Sequence, residues 1–307
     1  MKIYAAMSSG FVPAAHVDLL KKAEELARHR LFSYHYHGAT SPDNEPSMWV
    51  RQAYEQGCSM FLDSGAFSAF HTNSTIDIDK YAEFIHKTEG MWEVVANLDI
   101  IGGSEEANWD NLKALESNGC KVSPVYHVGE NPRWLYKMLD EYEYILLGGL
   151  VMARKSVMRE LDRAFRILTY EDGSPRAKFH GFGLTQLDLV FRYPWYSVDS
   201  TSWMLSAGFG SCVLYDGTTK FLQIVFSDDS PSRKSYYAGK SDAGHFERLD
   251  EVRKQKVLDL IRPSGITVEQ LKESYAGRRV LNLWAYRQLE NMEDPKFKGA
   301  ILDLGLF

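Results

Sequence analysis

Ser59-Met60-Phe61-Leu62-Asp63-Ser64-Gly65-Ala66-Phe67 sets an acid and a small-residue turn at the end of a short apolar run. Such a run, closed by turn residues, reads as a buried strand. The pattern returns far downstream in Trp195-Tyr196-Ser197-Val198-Asp199. Around these two stretches, strand-like runs alternate with amphipathic ones. The strand candidates are Lys2–Ala6, Phe32–His37, Met60–Ser64, Trp92–Asp99, Val122–Val128, Tyr144–Gly148, Lys178–Phe182 and Trp195–Asp199. Helical patterns fall at Val17–Arg30, Met48–Gln56, Ile78–Thr88, Glu105–Ser117, Pro132–Glu141 and Lys155–Thr169. Ser104 precedes the Glu105–Ser117 helix, Asn118-Gly119 closes it, and Asn131-Pro132 opens the next. Strands alternating with helices in this way predict an α/β fold, a (β/α)8 TIM barrel, with an open doubly wound sheet as the alternative.

The remainder of the chain reads differently. Cys212–Tyr215, the turn Asp216-Gly217-Thr218 and Phe221–Phe226 predict a β-hairpin. Polar Ser227–Gly244 reads as a mobile loop, and helical patterns resume at Leu249–Ile261, Val268–Tyr275 and Val280–Met292. The expectation is a single domain over residues 1–307: barrel core 1–210, hairpin 211–226, and a C-terminal loop and helices 227–307.

Composition narrows the function classes. At 45% hydrophobic and 25% charged, the chain has the balance of a globular protein with a sizeable core. No apolar run reaches the roughly 20 residues of a membrane span. Met1 to Met7 carries no signal-peptide pattern, so a cytoplasmic location is expected. Cys58, Cys120 and Cys212 are odd in number and far apart, which argues against a disulfide framework or a four-cysteine zinc site. The net charge of -6 argues against indiscriminate nucleic-acid binding, yet residues 231–287 hold 12 Lys/Arg against 7 Asp/Glu. That excess reads as a phosphate-tracking patch or as a plain solvated surface. Its candidate contacts are Arg233, Lys234, Arg253, Lys254, Lys256, Arg278 and Arg279.

In a barrel, residues at the C-terminal ends of strands share one mouth. Here those residues are Asp63, Asp99, His127, Gly148-Gly149, Gly181, Gly183 and Asp199. Taken singly, each is an ordinary cap, turn or core residue. Together they crowd three acids onto one rim, an arrangement that costs stability unless a ligand compensates it. Two carboxylates converging from distant strands are the equipment of glycosidic-bond chemistry, one as nucleophile and one as acid/base.

Asp63-Ser64-Gly65-Ala66-Phe67 resembles the Asp-Ser-Gly-Gly-Phe motif of the queuine/archaeosine tRNA-guanine transglycosylases. Asn97-Leu98-Asp99 resembles the stretch with that family's base-recognising acid, and Pro124 to Gly129 the strand that supplies a Gln to the base. Gly148-Gly149-Leu150, His180-Gly181-Phe182-Gly183 and Val198-Asp199-Ser200 resemble its later motifs, the last carrying the nucleophile. The hairpin Gly217-Thr218-Thr219-Lys220-Phe221 follows in the same order, and agreement runs over about residues 55–226. The departures are the missing Cys-x-Cys-x-x-Cys cluster of the zinc subdomain, Ala66 for Gly, His127 for Gln, and no further RNA-binding domain.

With those absences, the chain most resembles the phage and bacterial 7-deazaguanine DNA transglycosylases. The resemblance implies exchange of guanine in DNA for a preQ0-like base, an activity that shields phage DNA from restriction, in the host cytoplasm for a phage-encoded enzyme. It implies Asp199 as nucleophile and Asp63 as general acid/base. Ser64, Gly65, Phe67, Asp99, His127, Gly148, Gly149 and Leu150 would form the base pocket, with Phe67 or Tyr126 stacking on the ring. It implies neither metal nor cofactor, and DNA as the partner with tRNA as the alternative. The particular 7-deaza base and the oligomeric state are left open. Two other readings compete. A metal-dependent hydrolase on the same barrel would use His35 and His37 with His127, His180 and Asp199. A non-catalytic nucleic-acid-binding subunit would not be expected to keep both Asp63 and Asp199.

Overall fold

The computed structural model describes residues 1–7, 16–150, 156–184, 186–218, 220–229, 244–290, 292 and 295–298. Their elements, in chain order, begin with β1 (Lys2–Met7), α1 (Val17–Leu26), β2 (His29–Ser33), α2 (Tyr34–His37), α3 (Met48–Glu55), β3 (Ser59–Asp63), α4 (Ala66–His71), α5 (Ile78–Lys87) and β4 (Val94–Val95). The second half follows with α6 (Glu105–Ser117), β5 (Val125–His127), α7 (Arg133–Glu141), β6 (Tyr144–Gly148), α8 (Val157–Leu168), β7 (Lys178–Gly181), α9 (Leu187–Val190) and β8 (Ser197–Ser200). After it come α10 (Ser202–Gly208), β9 (Ser211–Leu214), β10 (Leu222–Val225), α11 (Glu251–Ile261), α12 (Val268–Glu273) and α13 (Tyr275–Glu290).

The first eight strands pair in the order β4-β3-β2-β1-β8-β7-β6-β5, every pair parallel. That order is cyclic. Ala96 and Ser123 bridge the two outer strands, with Ser123 N donating to Val95 O (2.8 Å) and Asn97 N to Ser123 O (2.9 Å). The sheet thus curls into a TIM-like barrel, and the open doubly wound alternative is set aside. β9 and β10 form a separate antiparallel pair.

Several expected boundaries move, for identifiable reasons. The strand expected at Phe32–His37 is β2, which ends at Ser33; Tyr34 to His37 form a helical turn instead. Tyr34 packs there against Tyr81 and Phe84, outside the sheet. Arg30 belongs to the strand although charged, because its Nε donates to Ala27 O (3.0 Å). Trp92–Asp99 and Val122–Val128 shrink to two- and three-residue strands joined by an isolated bridge, and beyond Ala96 the first is held by side-chain hydrogen bonds with α6. The last two helical patterns divide at Ser274, not near Tyr275–Val280. Gly277 sits at that corner, where a Cβ would lie 2.7 Å from Gln270 O. Residues 230–243 of the expected mobile loop lie outside the described residues.

α13 fastens the C-terminal segment to the barrel. Glu290 accepts from Ile3 N (3.1 Å) at the start of β1, and Asn282 links Trp203 O (2.8 Å) to Val213 N (2.8 Å). At the other end Arg278 donates through Nε to Ala207 O (2.9 Å) and through Nη1 to Leu271 O (2.6 Å) and Lys272 O (3.2 Å). α13 therefore runs antiparallel to β1, and its first turn stands above the C-terminal ends of the strands. Arg278 is buried, with three carbonyls around its guanidinium. Arg278→Leu should cost roughly 2–4 kcal/mol, the scale of a broken buried network of charge-assisted hydrogen bonds. Urea unfolding checks this; a loss under 1 kcal/mol on that scale would show the clamp to be dispensable.

Candidate active site

Two-residue alternation decides which side chains enter the barrel. Tyr4, Ala6, Leu31, Phe61, Val94, Ala96, Val125 and Leu146 cluster inside it, while Ile3, Ala5, Phe32, Met60, Tyr126, Ile145 and Leu147 pack outward against helices. Stepping by two from Leu31, Phe61, Val125 and Leu146 brings Ser33, Asp63, His127 and Gly148 to the inner face. Asp199 joins them as the register partner of inward Tyr4. All lie at the C-terminal ends of their strands, so the two remote aspartates share one mouth.

Asp63 ends β3. Its Oδ2 accepts from Gly65 N (3.1 Å), which fixes the carboxylate above the turn. Gly65 has φ 82°, and a Cβ there would fall 2.4 Å from His35 Cβ and 2.5 Å from Ser33 Oγ, so both conformation and space demand glycine. Burial first, then the nearby charges of Asp99 and Asp199, raise the Asp63 pKa to about 7 against the opposing Gly65 hydrogen bond. Asp63 has neutral donors only among its hydrogen-bond partners, which leaves a proton as its remaining compensation.

Asp99 rides on a loop pinned to α6. Asn97 Nδ2 donates to Asn108 O (3.0 Å), Asn111 Nδ2 to Leu98 O (2.9 Å) and Ile100 N to Asn108 Oδ1 (2.7 Å). Asp99 Oδ2 lies 2.8 Å from His127 Nε2, and Oδ1 is 3.4 Å from Ser64 Oγ. The other nitrogen of His127, Nδ1, lies 2.9 Å from Glu130 Oε1. Ionised carboxylates only accept, so both ring nitrogens carry protons. Burial opposes the charged ring, but the hydrogen bonds to Asp99 and Glu130 prevail and push its pKa up to about 10. Both ring N–H groups are thereby occupied.

Asp199 is buried in β8 and accepts from Gly183 N at 2.7 Å through Oδ1. His180 lies beneath it with Nε2 3.3 Å from the same oxygen, outside hydrogen-bond geometry. Burial lowers the His180 pKa despite Asp199, so the ring is neutral. Its Nδ1 is 2.6 Å from Ser197 Oγ, which is 2.5 Å from Tyr144 OH. A neutral ring with its proton on Nε2 lets each hydroxyl donate in turn: Tyr144 to Ser197, Ser197 to His180.

The other expected pocket residues divide. Ser64 is buried beside Asp99, and Phe67 is 44% exposed on the rim, edge-on to His71. Tyr126 cannot stack in the mouth: it points outward, with its hydroxyl donating to Glu130 O (2.7 Å). Gly148 does not open a path for a base; a Cβ there would meet His127 Cδ2 at 2.9 Å, so the missing side chain makes room for the imidazole. Gly149 adopts φ 76°, and Leu150 is buried next to it. Gly181 abuts Trp195, where a Cβ would come within 3.1 Å. Glu130, Ser33 and the role of Ser197 as partner of His180 escaped the sequence reading. The His127-x-x-Glu130 spacing was the available signal for the first.

The basic candidates also separate. Arg278 is spent on backbone carbonyls and is unavailable to a phosphate. Arg279 lies over Tyr275 (4.9 Å) and Trp203 (5.9 Å), in the first turns of α13 above the rim. Lys256 pairs with Asp216 (2.6 Å), Arg253 with Asp250 (3.4 Å) and Lys254 with Glu251 (3.6 Å). Arg233 and Lys234 lie outside the described residues.

The alternative metal set does not assemble. His35 and His37 occupy a helical turn rather than one strand face, and His37 Nε2 meets Met7 O (3.0 Å) while Nδ1 meets Ser47 Oγ (2.7 Å). Among the described residues, no three His, Cys, Asp or Glu side chains are grouped to hold a metal ion. No helix among them is long and apolar enough to cross a membrane. No family model matches this chain. No curated protein matches it at a significant level.

A carboxyl whose pKa is raised by folding holds its proton more tightly in the folded chain. Stability accordingly falls as pH climbs from the ordinary carboxylate range to about 7, then levels off. Asp63→Asn should flatten this slope and raise the melting temperature at pH 8. Thermal unfolding from pH 4 to 9 tests it; an unchanged slope would mean that Asp63 is not the group being strained.

Proposed function

We propose that this barrel is a DNA-guanine transglycosylase that exchanges guanine for a 7-deazaguanine base through a covalent aspartyl-glycosyl intermediate. The observation that carries the proposal is the pairing of inward-facing Asp199 with Asp63, whose pKa of about 7 suits proton transfer in both directions near neutrality.

Asp199 attacks C1′ of the target guanosine while Asp63 delivers a proton to the departing guanine. The sugar is left esterified to Asp199, and Asp63 is ionised. An incoming 7-deazaguanine gives its N9 proton to Asp63 as N9 attacks C1′ and displaces the carboxylate. Gly183 N keeps Asp199 aimed. Asp99 Oδ1 accepts from the base's donor edge, N1–H and the exocyclic amine. A duplex base must be flipped out to reach this depth, at a cost of a few kcal/mol. Phe67 on the rim offers a stacking face, and Arg279 above it, with exposed Arg253 and Lys256 of α11, offers phosphate contacts.

Asp199→Asn should abolish both guanine exchange and a denaturation-resistant DNA adduct, while Asp63→Asn should slow exchange 10²-fold or more, the scale of a lost general acid/base. Radiolabelled guanine offered with duplex DNA or with tRNA reads the outcome. Label is expected in DNA; label in tRNA alone would move the substrate to tRNA, and adduct retained by Asp199→Asn would overturn the nucleophile.

A further inference from the structure

Glu130 is a half-buried carboxylate that the mechanism above leaves unused. It grips His127 twice: Oε1 lies 2.9 Å from Nδ1, and Oε2 accepts from the His127 backbone N at 3.1 Å. Its own backbone is held by Glu130 N donating to His127 O (3.0 Å) and by the Tyr126 hydroxyl. On the far side, His127 Nε2 reaches Asp99 Oδ2 at 2.8 Å. The flank of the ring is closed by Gly148, which contributes no side chain and no charge. Glu105, the next acid on this side, is engaged by Asn131 N (2.7 Å) and Trp134 Nε1 (2.7 Å) instead. Asp63 stands beyond Asp99 and acts on it only through space.

This chain of contacts has a direction. Glu130 keeps a proton on Nδ1, the second proton stays on Nε2, and that N–H ties down one oxygen of Asp99. The other oxygen, Oδ1, has only the long contact from Ser64 Oγ at 3.4 Å. Asp99 thus presents a single, fixed acceptor to the mouth. Were the ring to lose its Nε2 proton, a bare nitrogen would face a carboxylate and Asp99 would swing away.

We propose that Glu130 is a positioning residue: acting through His127, it locks Asp99 so that one carboxylate oxygen faces the mouth and selects ligands with adjacent ring N–H and amine donors. In consequence His127 stands behind the recognising acid and does not touch the base. The ligand class rests on the transglycosylase reading; the lock itself does not.

Two measurements test it. In 15N-histidine-labelled protein, the His127 ring, assigned against His127→Gln, should stay doubly protonated from pH 6 to 9, whereas in Glu130→Gln it should become neutral within that range. Calorimetry with free guanine should then show Glu130→Gln binding about tenfold more weakly at pH 8.5, roughly one charge-assisted hydrogen bond, with a smaller loss at pH 6.5. Glu130→Asp should restore most of the affinity. A neutral His127 ring in the wild type, or unchanged guanine affinity in Glu130→Gln at both pH values, would overturn the proposal. Wild-type protein that binds no guanine while His127 stays charged would sink the ligand class and the transglycosylase reading, and leave the lock standing.

Discussion

Three carboxylates repel one another across the mouth of a closed parallel barrel, and the surrounding architecture can be understood as the means of tolerating that repulsion. A parallel sheet rolled on itself has no choice about facing: every second residue points inward. Asp63 and Asp199 follow from that rule, and Asp99 is brought to them by a loop stitched to α6. Each acid is compensated differently. Asp99 faces an imidazolium, Asp199 an amide N–H with a neutral imidazole beside it, and Asp63 takes up a proton near neutrality. Three similar groups are thereby given three separate chemistries, a division that catalytic carboxylates commonly display.

The layer beneath supports this division. Below Asp199 the barrel interior is not purely apolar but carries the Tyr144–Ser197–His180 column, closed off at the base by Glu93, which meets Lys2, Ser59 and Tyr196. The hydroxyls of Tyr144 and Ser197 and the Nδ1 of His180 are tolerated there because each finds a partner within the column. Tyr4, Phe61 and Phe182 fill the space around His180. A packed floor of this kind fixes the depth at which a carboxylate can stand and keeps Asp199 from sinking into the core.

Much of this was legible in the chain, and the reason is periodicity. Apolar runs that stop at an acid or a glycine mark strand ends, and strand ends in a barrel converge, so Asp63, Asp99, His127 and Asp199 were found without coordinates. What stayed hidden was decided by side-chain partners that composition does not reveal. Arg278 and Lys256 look alike in a basic stretch, yet one is folded into a cage of carbonyls and the other lies at the surface against Asp216. Arg30 resembled the end of a helix because its charge masked a strand whose guanidinium reaches back to Ala27. His35 and His37 looked like a strand-borne pair until the chain turned at Ser33. Glu130 lies in a turn beyond β5, where spacing carries little information, and only the geometry of the His127 ring shows what it does.

The central claim is that Asp63 is electrostatically coupled to the two acids across the mouth. Carboxyl 13C NMR titration of Asp63, in the wild-type protein and in Asp199→Asn, tests it most directly. The account predicts a midpoint near 7 that falls when the charge at residue 199 is removed. A midpoint in the ordinary aspartate range, or one indifferent to that substitution, would contradict it.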